Sequence, residues 1–351
     1  MSGPRKKVAK KGTPGAMAPA VAAAPATATR HILNLGDARD LGWVEDGSVH
    51  LALTSPPYFN LKKYNDHPDQ LGDLDDYEAF LDQLDTVWEH CFRALVPGGR
   101  LICVVGDVCI ARRRNKGRHH VVPLHADISV RCRRLGFDYL TPILWHKIAN
   151  ASFEVENGSA GFLGKPYEPN AIIKNDIEYI LMLRKPGGYR KPTEAQRNAS
   201  RISKADHPKW FRSFWTDVTG ASTREHPAPY PIELASRLVQ MFSFTGDVVL
   251  DPFAGTGTTS VAAIRHDRSS VSNEIDPDYF KLLRSRIDSE AKQSILGRPA
   301  PEVVVATSSA GVKKGRGNQR SGRSVVIDLN AAQCATSDAA RPRNVRSSAG
   351  S

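Results

Sequence analysis

Sulfur chemistry and metal binding have little support in this sequence. Its 351 residues include only five cysteines, and no two of them have the CxxC spacing that is typical of zinc and redox sites. A disulfide framework and a metal centre are therefore not expected, and the thiols are predicted to stay reduced in a cytoplasmic protein. No stretch approaches the ~18 apolar residues of a membrane-spanning helix, so no membrane partner is expected.

Acidic residues are nearly missing from the two ends of the chain. Residues 1–30 carry six lysines and arginines and no acid, and residues 297–351 carry nine against three acids. The formal net charge of +11 therefore divides into +6 from each end and −1 from residues 31–296. Because both ends are also poor in large apolar residues, we predict two disordered basic tails, at 1–30 and 297–351. A signal peptide is the weaker alternative for the first, since prolines interrupt its apolar portion.

The central body alternates between strand-like and helix-like segments. Helical spacing is clearest in 75–95, where Tyr77, Leu81 and Trp88 recur at intervals of three to four residues or their multiples. This alternation is typical of a largely parallel sheet with helices on both faces, and it predicts an α/β fold. The predicted strands are 31–35, 49–53, 100–105, 140–145, 177–183, 247–250 and 270–274, and the predicted helices are 75–95, 123–135, 231–243, 258–266 and 276–291.

Regular periodicity weakens over residues 150–225. Loop-like stretches dominate there, and one strand-like run, IEYILMLRK, interrupts them. Loop-rich insertions on a regular scaffold are where recognition surfaces usually lie. We therefore predict a recognition insertion at 150–225 between two halves of one domain, 31–149 and 226–296. A variable surface excursion is the alternative.

A glycine-containing turn follows a strand-like run in DVVLDPFAGTGTTSVAA (247–263). Gly255 and Gly257 allow a ligand to approach the backbone, and the helix that follows offers free N–H groups. A phosphate loop needs a lysine directly after the second glycine, where Thr258 stands. A dinucleotide fingerprint needs a third glycine where Ser260 stands. A ligand without phosphate groups fits the turn better.

Two acids at strand ends indicate which ligand this is. Asp251 ends the strand before the turn and can accept a hydrogen bond from an ammonium group. Glu274 ends the next strand and is well placed for ribose hydroxyls. A ligand with an adenosine end, an amino-acid end and no phosphate is S-adenosylmethionine. The alternative is that Asp251 caps a helix and Glu274 is solvated.

Two consecutive prolines end another strand, in TSPPYFN (54–60). They remove two backbone donors and fix two φ angles, so the segment cannot continue the sheet. It predicts a stiff, carbonyl-rich edge flanked by Ser55 and Tyr58. A strand-terminating turn with no further role is the alternative.

The pair TSPPY and DPFAGTGTT resembles the β-type, circularly permuted, amino-methylating DNA methyltransferases, most closely the cytosine-N4-specific enzymes of restriction-modification systems. The similarity covers roughly 31–290 and includes NLGDAR (34–39), LVPGGRLICVVGD (95–107), WHK (145–147), EYILMLRK (178–185), FWTDV (214–218) and HPAPYPIELASRLV (226–239), in family order. It implies a Rossmann-like S-adenosylmethionine-dependent methyltransferase. Residues 31–149 would form its catalytic half, 226–296 its cofactor-binding half and 150–225 its target-recognition insertion.

The low reactivity of exocyclic amino groups explains why such an enzyme would need the proline pair. An exocyclic amine is a poor nucleophile, because its lone pair is delocalised into the ring. Ser55 Oγ and the Pro56 carbonyl, held by Pro57, would accept its two N–H groups and aim the lone pair. Tyr58, and with it Phe59, would stack on a base flipped out of the duplex. The cofactor-binding residues that we expect are Asp37, Asp251, Pro252, Phe253, Gly255, Gly257, Thr258 and Glu274.

The first residue of the catalytic motif favours cytosine as the target. Related adenine-N6 enzymes usually have Asp or Asn where Ser55 stands, and cytosine-N4 enzymes usually have Ser. Methylation at cytosine C5 is disfavoured, because it needs a cysteine thiolate and no Pro-Cys pair occurs. Two alternatives stay open: adenine-N6 methylation, and a non-catalytic DNA-binding regulator on the same fold.

A basic run follows the strand that ends near Asp107. We predict that it contacts phosphates of double-stranded DNA, and a solvated loop is the alternative. The expected DNA contacts are Arg112, Arg113, Arg114, Lys116, Arg118 and Lys147. A cognate restriction endonuclease, acting separately, is a second partner that the resemblance allows in a prokaryote or phage.

Overall fold

The computed structural model describes residues 28–59, 65, 67, 69–110, 116–118, 120–147, 175–221, 230–293 and 299–306. Their strands are β1 (Arg30–Leu35), β2 (Val49–Thr54), β3 (Leu95–Val105), β4 (Val108–Ile110), β5 (His120–Val122), β6 (Asp138–His146), β7 (Ile177–Arg184), β8 (Phe214–Trp215), β9 (Val248–Asp251), β10 (Ser269–Glu274) and β11 (Glu302–Ala306). Their helices are α1 (Tyr77–Ala94), α2 (Leu124–Arg134), α3 (Glu194–Ala199), α4 (His207–Trp210), α5 (Ile232–Phe242), α6 (Thr258–Arg265) and α7 (Pro277–Lys292), with a 3-10 turn at Leu71–Asp73.

One mixed sheet organises the fold. In the described ranges it has nine strands, in the order β11-β1-β10-β9-β2-β3-β7-β6-β8, and β4 pairs with β5 in a separate hairpin. Only β7 runs antiparallel to its neighbours, β3 and β6, while the other pairings are parallel. The loops that follow β1, β2, β9 and β10 therefore emerge at the same edge of the sheet.

Alternate side chains along the central strands pack into two apolar layers, one on each face of the sheet. On β3, Leu101 and Cys103 pack in the layer that contains α1 and α2, whereas Ile102 and Val104 pack in the layer that contains α5. Burial on both faces explains why the central strands are continuous apolar runs. The predicted α/β, Rossmann-like sheet with helices on both faces is confirmed.

Capping side chains fix where α1 and α7 begin. Asp76 caps α1 by accepting from the Ala79 N–H at 2.8 Å, and Asp276 caps α7 in the same way from the Tyr279 N–H at 2.9 Å. No helix in the described ranges combines the length and the apolar character that crossing a bilayer requires.

Several predicted boundaries need correction. The tail predicted to be disordered from 297 is wrong for β11, which pairs with β1, and the tail predicted at 1–30 includes Arg30 of β1. Within the predicted insertion 150–225, β7 lies between β3 and β6, and β8 extends the sheet at its edge. The described part of the insertion thus shares the sheet of the main domain. The structure describes only residues 28–30 and 299–306 of the predicted tails, and residues 150–174 and 222–229 also lie outside the described residues.

Candidate active site

The candidate site lies where the chain leaves the middle of the sheet in opposite directions. Strands β2 and β9 are parallel neighbours, paired at Leu51–Val249 and Ala52–Leu250. After β2 the chain continues through α1 to β3, and after β9 it continues through α6 to β10 on the other side. A crevice forms at such a switch point because the loops after the two strands diverge. These loops are the proline corner (residues 55–57) and the glycine loop (residues 252–257).

One cavity of about 610 Å³, open to solvent, is lined by both loops. Ser55, Pro56 and Pro57 line it from the loop after β2, and Pro252, Phe253 and Gly255 line it from the loop after β9. The remaining lining residues are Asp37, Ala38, Asp69, Gln70, Leu71, Asn273, Glu274, Ile275 and Tyr279. Apolar side chains and a few carboxylates share the lining, as is typical of sites for small organic ligands. The structure therefore brings together the two loops that the sequence singled out.

Glu274 presents a fixed carboxylate to this cavity. Its Oε2 accepts from the Gly255 N–H at 2.7 Å and its Oε1 from the Asp276 N–H at 2.9 Å. Burial raises the pKa of Glu274 to about 7, and the two backbone donors oppose that rise. Each carboxylate oxygen keeps a second lone pair for a hydroxyl donor. The arrangement fits a ligand with a ribose diol.

Asp37 stands at another wall of the cavity and is held by Arg39. Arg39 Nε donates to Asp37 Oδ2 at 2.9 Å, and Arg39 Nη1 donates to Gln83 Oε1 of α1 at 2.8 Å. The guanidinium also pairs with Asp69, another lining residue, at 3.7 Å. Arg39 thus braces two parts of the cavity wall, a role that reading the sequence did not identify.

Phe253 provides an apolar wall. It lines the cavity and meets Trp88 of α1 edge to face, with 6.3 Å between ring centroids. Core packing and ligand contact were alternatives for this residue, and its position is compatible with both.

Three residues expected at the cofactor are not among the lining residues. The Asp251 carboxylate is buried beneath the loop and accepts from Thr54, Phe253, Thr259 and Tyr230. Gly257 has a φ of +83°, and a Cβ there would lie 2.4 Å from Leu283 Cδ1, so this glycine is required by packing against α7. The Thr258 hydroxyl accepts from Arg286 Nη1 at 3.2 Å. A contact between a ligand ammonium and Asp251 stays a prediction that requires one of these donors to move.

The two aromatic residues after the proline corner, Tyr58 and Phe59, make contacts in different parts of the structure. The Tyr58 hydroxyl donates to Glu178 Oε1 of β7 at 3.0 Å, and Lys147 pairs with the same oxygen. Phe59 instead packs in the core, 5.1 Å from the ring of Tyr77, which argues against base stacking by this residue. Glu178 was missed as a site residue, because nothing in its strand-like run marks it.

The predicted DNA contacts are only partly described. Lys116 and Arg118 are exposed beside the β4–β5 hairpin, and Lys147 is committed to Glu178. Arg112, Arg113 and Arg114 lie outside the described residues.

A doubly wound sheet with a cavity at its switch point defines the class of Rossmann-like α/β proteins, and comparison with known proteins names the family. Residues 49–285 match the DNA methylase family. The type II methyltransferase M.MjaI of Methanocaldococcus jannaschii is 35% identical over 296 residues, which cover 76% of this chain and 93% of that protein. M.MthZI of Methanothermobacter thermautotrophicus is 33% identical over 289 residues, covering 76% and 79%.

Solved structures agree. TTHA0409 of Thermus thermophilus, a provisionally assigned DNA modification methylase in complex with S-adenosyl-L-methionine, superposes with a TM-score of 0.64 at 52% identity, over 79% of this chain and 99% of that one. The cytosine-N4-specific PvuII DNA methyltransferase, 18% identical with a TM-score of 0.53, shares the fold. The chain belongs to the DNA methylase family of S-adenosylmethionine-dependent amino-methyltransferases. The predicted family and cofactor are thereby confirmed.

Proposed function

We propose that this protein methylates the exocyclic N4 amine of cytosine in duplex DNA after flipping the base out of the helix. The observation that carries the proposal is the single cavity shared by the proline corner and the glycine loop. An amine acceptor and a methyl donor must face each other across a short gap, and these two loops face one space.

The proline corner supplies the acceptors for the amine. Ser55 is half-buried at the cavity, and Pro56 and Pro57 have no backbone N–H that could repel an amine donor. Ser55 Oγ and the Pro56 carbonyl accept the two N–H groups, which directs the nitrogen lone pair away from the ring. These acceptors strengthen as positive charge develops on nitrogen, and they therefore stabilise the transition state. The proton is released to solvent after transfer.

Other lining residues would hold the cofactor. Glu274 would accept from the ribose hydroxyls, Phe253 would pack against the adenine, and Asp37 would accept from polar groups of the ligand. When bound there, S-adenosylmethionine supplies an electrophilic methyl group. The fit rests on the fixed carboxylate of Glu274, and the described residues that line the cavity include no lysine or arginine.

Cytosine is favoured over adenine because the motif begins with Ser55. Related adenine enzymes usually carry Asp or Asn there. Adenine-N6 methylation is the second candidate, since a serine hydroxyl can accept from either amine.

A basic segment at the surface offers phosphate contacts outside the cavity. Residues 191–212 carry six exposed cations, Lys191, Arg197, Arg201, Lys204, Lys209 and Arg212. None of the six pairs with a carboxylate among the described residues, whereas Arg39, Arg93 and Arg131 are all ion-paired. Unpaired surface cations are suited to phosphate contacts. Gln196 and Ser200 of this segment bond to Thr245, which precedes β9, so the six cations lie toward the edge of the sheet opposite the cavity. We infer that any contact they make with duplex DNA lies away from the target base.

Transfer of a labelled methyl group to DNA, followed by nucleoside analysis, tests the proposal. The full chain is incubated with S-adenosylmethionine and DNA of diverse sequence. N4-methyldeoxycytidine is the expected product, and N6-methyldeoxyadenosine would support the second candidate. Neither product, with cofactor binding verified by calorimetry, would contradict catalysis and favour a DNA-binding regulator.

Replacing Ser55 tests the assignment of the amine acceptor. We expect Ser55→Ala to lower turnover by about 10²–10³-fold, the usual cost of removing one transition-state hydrogen bond. Cofactor affinity should stay close to that of the wild type, because Ser55 is assigned to the target amine and Glu274 to the cofactor. Unchanged turnover in this variant would remove Ser55 from the mechanism.

A further inference from the structure

A buried hydrogen bond joins the residues that precede the two site loops. Thr54 is the last residue of β2 and directly precedes the proline corner, and Asp251 is the last residue of β9 and directly precedes the glycine loop. Thr54 Oγ1 donates to Asp251 Oδ1 at 2.7 Å, and the two residues are 0% and 1% exposed. The bond is therefore shielded from competition by water.

Asp251 collects three further donors. The Phe253 N–H donates to Oδ1 at 3.1 Å, the Thr259 hydroxyl to Oδ2 at 2.6 Å and the Tyr230 hydroxyl to Oδ2 at 3.3 Å. Thr259 lies in the first turn of α6, and Tyr230 precedes α5. One carboxylate thus ties the end of β2 to the glycine loop and to two helices.

Such a carboxylate is costly unless its hydrogen bonds are complete. Burial raises the pKa of Asp251, and the bonds from Thr259 and Thr54 act against that rise. An apolar pair would join two strands without this desolvation cost. What the polar network adds is direction, because hydrogen bonds fix an angle and a distance that apolar contacts leave adjustable.

We propose that Thr54 is a positioning residue whose hydrogen bond to Asp251 sets the proline corner in register with the glycine loop. This inference rests on the proposed function, because register matters only if the two loops hold the two reactants. A misplacement of ~1 Å between reacting atoms can cost ~10²-fold in rate. Thr54 touches neither reactant and acts through Asp251.

Three variants test the proposal in the full-length protein. Thr54→Val removes the donor and keeps the shape, Thr54→Cys replaces it with a weak donor, and Thr54→Ser retains it. The matched control is Ser270→Ala, which removes an equally buried hydroxyl that bonds to His31 Nδ1 at 2.8 Å near the opposite end of the sheet. Single-turnover methyl transfer is measured per folded molecule, and cofactor affinity is measured by calorimetry.

We expect Thr54→Val to lower the single-turnover rate by roughly 10–100-fold with cofactor affinity close to wild type. Thr54→Cys should be intermediate, and it replaces Thr54→Val if that variant does not fold. Thr54→Ser should restore most of the rate. Ser270→Ala should reduce thermal stability without this loss of rate. A Thr54→Val or Thr54→Cys enzyme with the wild-type rate would overturn the proposal and leave the proposed function intact.

Amide hydrogen exchange tests whether Thr54 couples the proline corner to the glycine loop, and it does not require methyl transfer. If Thr54 links the loops, its loss accelerates amide exchange in peptides covering both 55–59 and 252–257, and Ser270→Ala leaves both unchanged. Acceleration in one loop alone would contradict the link. If the wild-type protein methylates no DNA, the proposed function fails and this exchange result still decides whether the two loops are coupled.

Discussion

Strands β9 and β10 each end in a carboxylate, and the two carboxylates differ in their hydrogen-bond partners and in their access to the cavity. Asp251 and Glu274 each end a buried parallel strand at the same edge of the sheet, and both are at least nine-tenths buried. Three side-chain hydroxyls and one backbone N–H enclose Asp251, whereas two backbone N–H groups hold Glu274 at the cavity. Of the two carboxylates, only that of Glu274 lines the cavity and has acceptor sites left on each oxygen.

The difference teaches that the partners decide what a strand-end acid does. The hydroxyls around Asp251 come from residues 54, 230 and 259, which the fold gathers from three separate segments. Backbone amides beside Glu274 leave its outer side open. One acid therefore stabilises the site from beneath, and the other is available for binding.

The largest expected effect is on stability at the end of β9. Asp251→Ala removes the shared acceptor of four donors, of which only Thr259 and Tyr230 have another oxygen within reach, so we expect the free energy of unfolding to fall by roughly 3–5 kcal/mol. Glu274→Ala should cost far less, because its two amides can be solvated from the cavity. Urea denaturation of both variants measures the contrast, and equal losses would break the comparison. Asp251→Asn, which keeps one acceptor oxygen, should fall between Asp251→Ala and the wild type.

The second effect is on binding at the end of β10. Glu274→Gln replaces a charged acceptor with a neutral one, and we expect affinity for S-adenosylmethionine to fall about 10–100-fold, the equivalent of ~1.5–3 kcal/mol. Titration calorimetry measures this loss. An unchanged dissociation constant would show that the ligand does not use Glu274.

The third effect is a pH dependence that belongs to Glu274 alone. Because burial raises its pKa to about 7, the carboxyl gains a proton as pH falls below 7 and loses an acceptor site. Affinity should then decrease by up to about tenfold per pH unit between pH 7 and 5.5. The same raised pKa gives stability that is present at low pH and is lost as pH rises through 7, so binding and stability should move in opposite directions. In Glu274→Gln both trends should flatten, and a persistent slope would assign them to another group.

The smallest expected effect is a difference in stability between variants that remove individual hydrogen bonds to Asp251. Tyr230→Phe removes the longest of them, at 3.3 Å, together with the contact between the Tyr230 and Thr259 hydroxyls, and should lower the free energy of unfolding by about 0.5–1.5 kcal/mol. Thr259→Val removes a bond of 2.6 Å and should cost more. Thermal denaturation compares the two variants. The reverse order would mean that bond length does not rank these contacts.

The sequence predicted the main strands and helices to within a few residues in most cases, because both faces of the sheet are covered. Burial on two faces produces apolar runs, and amphipathic helices leave a regular spacing, as in α1. The elements it missed, β4, β5, β8, β11, α3 and α4, are at most six residues long. Strand β11 exists through its pairing with β1, which no local pattern in EVVVA reveals.

The candidate site was predicted as motifs but not as contacts. Ser55, Pro56, Phe253, Gly255 and Glu274 all line the cavity, because each follows or ends a strand at the switch point. The side-chain contacts could not be predicted from the sequence. Thr54 and Asp251 are separated by 197 positions, and Lys147 and Glu178 are separated by 31. Such pairs depend on strand order, which sequence spacing does not encode.

The central claim is that the proline corner and the glycine loop hold a flipped cytosine and the methyl donor on opposite sides of one cavity. A crystal structure with a non-reactive cofactor analogue and a duplex containing the methylated site measures this most directly. We expect the cytosine N4 within about 3 Å of both Ser55 Oγ and the Pro56 carbonyl, with the ribose of the analogue on Glu274. A base held elsewhere, or an analogue bound away from Glu274, would contradict the claim.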